Sequence, residues 1–116
     1  MDKDRQRELK QSYKETKLPM GVYQVRNKVN GRIFIGSASN VSGKLNSIRF
    51  QLGVGSYRCA GLQKEWLEFG EDGFEFEILE LLDQDKIESY LLKDELKKLE
   101  KKWLEKLEPY GDKGYN

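Results

Sequence analysis

The chain reads as an α+β domain, a three-stranded antiparallel sheet flanked by helices. Asn30-Gly31 sits between two short strand-like stretches and supplies the positive φ angles that a tight hairpin turn needs. "FEFEIL" alternates apolar and acidic residues with the period of a strand. Three other segments repeat their apolar residues at helical spacing, which supplies the helices.

Taken in order, residues 2–16 read as a polar helix whose only apolar anchors are Leu9 and Tyr13. Residues 1–20 are therefore expected to be a polar helical N-terminal extension and 21–116 the domain proper. Pro19 pushes Leu18 into an extended shape and closes the extension. The hairpin follows in "GVYQVRNKVNGRIFIG". With Asn30 and Gly31 as the two turn residues, Asn27 faces Phe34 and Val25 faces Gly36. Tyr23, Phe34 and Gly36 then share one face of the sheet.

"SASN" can cap a helix, and Val41, Leu45, Ile48 and Leu52 form its apolar stripe until "GVGS" ends it. Leu62, Trp66 and Phe69 define a second short helix that Gly70 stops. Phe74, Phe76 and Ile78 are expected to point inward from the third strand, with Glu75 and Glu77 outward. The last helix, over residues 86–107, carries Leu92, Leu96, Leu99, Trp103 and Leu107 on one stripe before Pro109.

Composition narrows the chemistry. With 116 residues, 35% of them charged and 37% apolar, the chain fits one soluble domain with a thin core. No apolar run reaches the roughly 18 residues of a membrane helix, and "MDKDRQRELK" lacks the apolar stretch of a signal peptide. The single cysteine, Cys59, cannot form an internal disulfide, so a reducing, cytoplasmic setting is expected. There is no histidine. That excludes Ser-His-Asp and Cys-His catalysis, imidazole-based zinc sites and histidine-dependent nucleases. Proton transfer is left to carboxylates, lysines, tyrosines, a metal-bound water or Cys59.

A net charge of +1 hides a polarised chain. Between Thr16 and Lys64 lie eight basic residues (Lys17, Arg26, Lys28, Arg32, Lys44, Arg49, Arg58 and Lys64) and no acid. This segment suits a polyanion such as DNA, with Arg26, Lys44, Arg49 and Arg58 as candidate contacts, or it simply solvates loops. The glycine beside an aromatic in each hairpin strand, Gly21-Val22-Tyr23 and Phe34-Ile35-Gly36, reads either as ordinary core and a bend or as room for a close approach.

These two tripeptides, ten residues apart, resemble the name motif of the GIY-YIG nuclease family. The likeness continues through "GSASNVSGKL", "LQKEWLEFG", "FEFEILELL", Glu100 before "KKWL", and the terminal "GYN". It spans roughly residues 21–116 and is nearest to the intron-homing branch. The resemblance implies a compact domain that hydrolyses a phosphodiester bond in DNA with one divalent ion, Mg²⁺ or Mn²⁺, and no small-molecule cofactor. Tyr23 would be the general base or part of its relay, Glu100 the metal ligand, and Lys44 the cation on the scissile phosphate. Phe34 takes the place of the second motif tyrosine, and Asn116 matches a polar position near the site. The family's sequence-reading modules are separate, so a separate targeting partner is expected.

Elementary chemistry qualifies these roles. A free phenol has a pKa of about 10, so ionising it at pH 7 costs about 4 kcal/mol unless cations or hydrogen bonds assist. Glu100 lies at the edge of the last helix's apolar stripe, but Glu95 does too, so spacing alone does not separate them. Phe34 lacks a hydroxyl. Lys44 lacks the guanidinium fork, a loss worth about one to three orders of magnitude in rate. Arg49 lies about 140° around the helix from Lys44, and Arg26 points to the other sheet face. The alternative expectation is a weak or inactive module of the same fold that binds nucleic acid or a protein partner.

Overall fold

The computed structural model describes residues 18–116. The expected N-terminal helix therefore lies outside the described residues. Strands β1 (Gly21–Asn27), β2 (Ile33–Ala38) and β3 (Phe74–Leu81) form one antiparallel sheet in the order β2-β1-β3, with β1 in the centre. Helices α1 (Val41–Val54) and α2 (Ala60–Phe69) lie between β2 and β3 in sequence, and α3 (Leu92–Leu107) follows β3. Among the described residues no helix is long and apolar enough to cross a membrane.

The hairpin register differs from the expectation by two residues. Tyr23 pairs with Gly36 and Val25 with Phe34, and the Asn27 N–H donates to the Arg32 carbonyl at 2.8 Å. The loop is thus the four residues 28–31, with Asn30-Gly31 as its second half. The cause is Asn27, which is fully buried. Its Oδ1 accepts from the Val29 N–H at 2.8 Å, a local turn that competes with a two-residue loop. A shift of two preserves the side-chain faces, so Tyr23, Phe34 and Gly36 still share one.

That face is covered by α1 and α2. Tyr23, Val25, Val41, Ile48, Leu52, Tyr57, Leu62, Trp66 and Phe74 make up its buried cluster. Asn40 caps α1, its Oδ1 accepting from the Gly43 N–H at 3.1 Å, and Gly55 ends the helix at φ 79°. The other face carries Val22, Ile33 and Ile35, packed by Leu99, Trp103, Leu104 and Leu107 of α3. This helix begins at Leu92 rather than residue 86, after a 3₁₀ turn over Ser89–Leu91. Leu92 and Leu96 are half-buried and lie outside the second cluster. Ile78 also departs from expectation and is 43% exposed. Trp66 covers Phe74 and Phe76, at ring separations of 5.2 and 6.0 Å, and Ile78 lies one step beyond them. Between Val22 and Tyr23 the β1–β3 register shifts, and the extra residue, Leu79, packs in the second cluster instead.

The terminal "GYN" closes the outer edge of β2. The Tyr115 N–H donates to the Ile33 carbonyl at 2.9 Å, and Asn116 bonds both backbone groups of Ile35 through its amide, each at 2.8 Å. A Cβ on Gly114 would collide with the backbone oxygens of Pro109 and Ile33, so the close approach requires glycine. Behind this clasp, Glu65 of α2 accepts from Asn30 at 2.7 Å and from Arg32 at 3.1 Å. The Arg32 guanidinium stacks 4.5 Å from the Tyr115 ring centre. Burial works against the charged form of Glu65, but hydrogen bonds from Tyr115, Arg32 and Asn30 hold its carboxyl below the usual range.

Three stability outcomes are expected. Gly114→Ala should lower unfolding stability in urea by about 1–3 kcal/mol, the usual cost of overpacking. Gly53→Ala, where a Cβ meets nothing within 4 Å in the last turn of α1, should raise it by about 0.4–1 kcal/mol. Folding lowers the Glu65 pKa, so its contribution is complete above its ordinary value of 4.5 and is lost as pH falls through the lowered one. Glu65→Gln should therefore shrink the stability difference between pH 7 and pH 3 in denaturant titrations.

Candidate active site

Tyr23 is on the central strand, yet its side chain runs across β2. A Cβ on Gly36 would overlap the phenolic hydroxyl and lie 2.6 Å from Cζ. Gly36 is bare so that the phenol can pass over it toward the sheet edge. Gly21 has a different reason: a Cβ there would strike the Glu80 backbone, where β1 and β3 pack past the register shift.

Ser37, the next residue on β2, turns to the opposite face. Its hydroxyl donates to Glu100 Oε1 at 3.0 Å. The carboxylate from α3 thus reaches β2 one residue from the glycine that the phenol crosses. Glu95 is instead paired with Lys98 at 3.3 Å, which separates the two glutamates that spacing left equivalent. Glu100 makes no ion pair among the described residues.

The wall of the site holds Tyr57, a residue the sequence reading did not single out. It is buried, and its ring meets Phe34 edge-on at 6.1 Å and 84°. Its place in "GSYRCAG", between two helices, gives no periodic signal. Burial pushes the Tyr23 phenol well above its ordinary pKa, and the Tyr57 and Glu100 charges push the same way; Arg58 opposes them. Tyr57 is raised by burial and by Cys59, again opposed by Arg58. Both phenols therefore hold their protons at neutral pH.

Lys44 is in the first turns of α1, half-buried, and makes no ion pair among the described residues. Arg58 is exposed and likewise has none. Two other expected DNA contacts are engaged elsewhere. Arg26 pairs with Glu75 across β1 and β3. Arg49 lies 3.8 Å from Glu71 and 4.5 Å from the Phe76 ring centre, on the side of β3. A groove there, lined by Lys28, Arg49, Glu71, Asp72, Phe74, Glu75 and Phe76, includes three acids and none of the Tyr23 site. Asn116 lies beside Gly36, its amide bonding both backbone groups of Ile35 and keeping a second N–H and a second lone pair free.

Among the described residues no three of His, Cys, Asp and Glu converge as a ready metal cage. One carboxylate beside a hydroxyl still fits a hard divalent ion, which is commonly held by one or two carboxylates with water and phosphate oxygens.

A family model of the GIY-YIG catalytic domain matches residues 19–116. The chain belongs to the GIY-YIG nuclease family. Two solved structures are similar to it. The catalytic domain of homing endonuclease I-TevI shares 27% identity at a TM-score of 0.67, covering 84% of this chain and 96% of that one. A mutant of the catalytic domain of intron endonuclease I-TevI shares 25% identity at 0.69, covering 85% and 93%. No curated protein matches the chain.

If Tyr23 and Glu100 share this site, Glu100→Gln should move Tyr23 ionisation to lower pH, since a raising charge is removed. NMR titration of the tyrosine Cζ signals reads this directly, and an unmoved Tyr23 would separate the two groups.

Proposed function

We propose that this domain is a divalent-metal-dependent DNA endonuclease that hydrolyses phosphodiester bonds, and that it works in the cytoplasm with a separate partner to target it. One observation carries the reading: Tyr23 and Glu100 reach β2 from opposite sheet faces at adjacent residues, Gly36 and Ser37.

In this reading Lys44 neutralises the scissile phosphate, and the exposed Arg58 adds to the positive surface that meets DNA. Tyr23 orients the attacking water and, as its own phenolic proton passes to solvent, accepts the water's proton while the oxygen attacks phosphorus. The bond to the leaving oxygen breaks, and that oxygen collects a proton from solvent. Glu100 would hold Mg²⁺ or Mn²⁺, which supplies Lewis-acid activation and offsets the carboxylate charge that opposes Tyr23 ionisation. Ser37 fixes the Glu100 carboxylate by its hydrogen bond. Phe34 supplies ring packing against Tyr57 but no hydroxyl, an observation that favours a slow enzyme and keeps a purely DNA-binding or partner-binding module as the second reading.

Plasmid incubated with Mg²⁺ or Mn²⁺ tests this. Cleavage should appear with metal, stop with chelator, and vanish in Glu100→Ala and Tyr23→Phe. Lys44→Gln should slow it by about 10–1000-fold by removing a charge from the phosphate. Wild type and variants that behave alike would leave the second reading, for which DNA affinity should fall steeply with salt.

A further inference from the structure

The site as described leaves the phosphate with one cation that cannot make paired hydrogen bonds, Lys44. We infer that Arg58 grips the two non-bridging oxygens of the scissile phosphate, with the neighbouring Tyr57 hydroxyl as an added donor. This rests on the nuclease reading and assigns it a further residue.

The loop between α1 and α2 is built to present Arg58. Buried Gln63 accepts from the Tyr57 N–H at 3.0 Å and donates to the Leu52 carbonyl at 3.0 Å, tying the loop to both helices. Tyr57 turns inward against Phe34. Two residues on, the Cys59 thiol contacts the Tyr115 carbonyl at 3.8 Å, beside the clasp on β2. With residues 57 and 59 both anchored inward along the β2 side, the residue between them projects outward, and Arg58 is exposed.

Elimination points to the same side chain. Arg26, Arg32 and Arg49 are held by Glu75, Glu65 and Glu71. Arg58 makes no ion pair among the described residues. Its charge also favours the ionised form of Tyr23 and of Tyr57. A planar fork matches phosphate geometry in a way that an ammonium group does not. Neither phenolic hydroxyl has a hydrogen-bond partner among the described residues, which leaves Tyr57 free to donate.

The test compares wild type, Arg58→Gln and Arg58→Lys, with Lys86→Gln as a one-charge control from the loop after β3. A short labelled DNA duplex is the probe, with single-turnover cleavage in Mg²⁺ and metal-free binding measured across salt. Arg58→Gln should slow cleavage at saturating DNA by about 10–1000-fold. It should also reduce the slope of log affinity against log salt by about one. Arg58→Lys should keep the wild-type slope yet recover cleavage only in part, and Lys86→Gln should cleave like wild type. Wild-type cleavage and salt slope in Arg58→Gln would overturn the assignment while leaving the nuclease reading intact. Wild type that never cleaves would overturn the nuclease reading, and the salt slope would still decide for or against Arg58.

Discussion

A side chain on the middle strand of a sheet cannot ordinarily reach the sheet's edge, because the neighbouring strand's own side chains stand in the way. Removing one Cβ, at Gly36, opens that passage for Tyr23, and a longer residue there would displace the phenol. The opposite face delivers Glu100 to the same strand through Ser37. The sheet is thus a partition that two functional groups approach from different cores, and the meeting point depends on β2 staying in place. The terminal clasp serves that need, since Tyr115 and Asn116 bond the outer backbone of Ile33 and Ile35 just before Gly36. The motif that gives the family its name and the tripeptide ending this sequence belong to one mechanical unit.

The charge pattern resolves in a similar way. The acid-free stretch looked like a surface for a polyanion, but much of it is internal pairing across the fold. Arg26, Arg32 and Arg49 meet glutamates contributed by the second half of the chain. Such pairs, partly exposed as two of them are, contribute little stability individually. They nonetheless give three guanidinium groups a carboxylate neighbour and leave Lys44 and Arg58 unpaired among the described residues. The Tyr23 environment points the same way. Burial and nearby negative charge keep its proton on, so the site depends on positive charge brought close to it.

Much of the fold was legible because local signals agreed with it. The Asn40 cap, the Gly55 and Gly70 stops and the alternation of "FEFEIL" all describe single elements, and each element is present. What failed was set by interactions that sequence spacing does not carry. The hairpin register depended on the Asn27 side chain, and the exposure of Ile78 on how far Trp66 reaches. The site divided along the same line. Tyr23, Glu100, Phe34 and Asn116 came from the family likeness, whereas Tyr57 lies in a loop without period or motif. Spacing left Glu95 and Glu100 equivalent; the family likeness chose Glu100, and the two have different partners, Lys98 for Glu95 and Ser37 for Glu100.

In the proposed site one edge strand, bared at one residue, gathers a phenol and a carboxylate around a place for a cation. Anomalous diffraction from crystals soaked in Mn²⁺ tests this arrangement most directly. A manganese peak is expected about 2.1 Å from a Glu100 oxygen, on the β2 edge and beside the Tyr23 hydroxyl. A peak bound elsewhere with Glu100 bare, or a Tyr23 phenol turned away from β2, would contradict it.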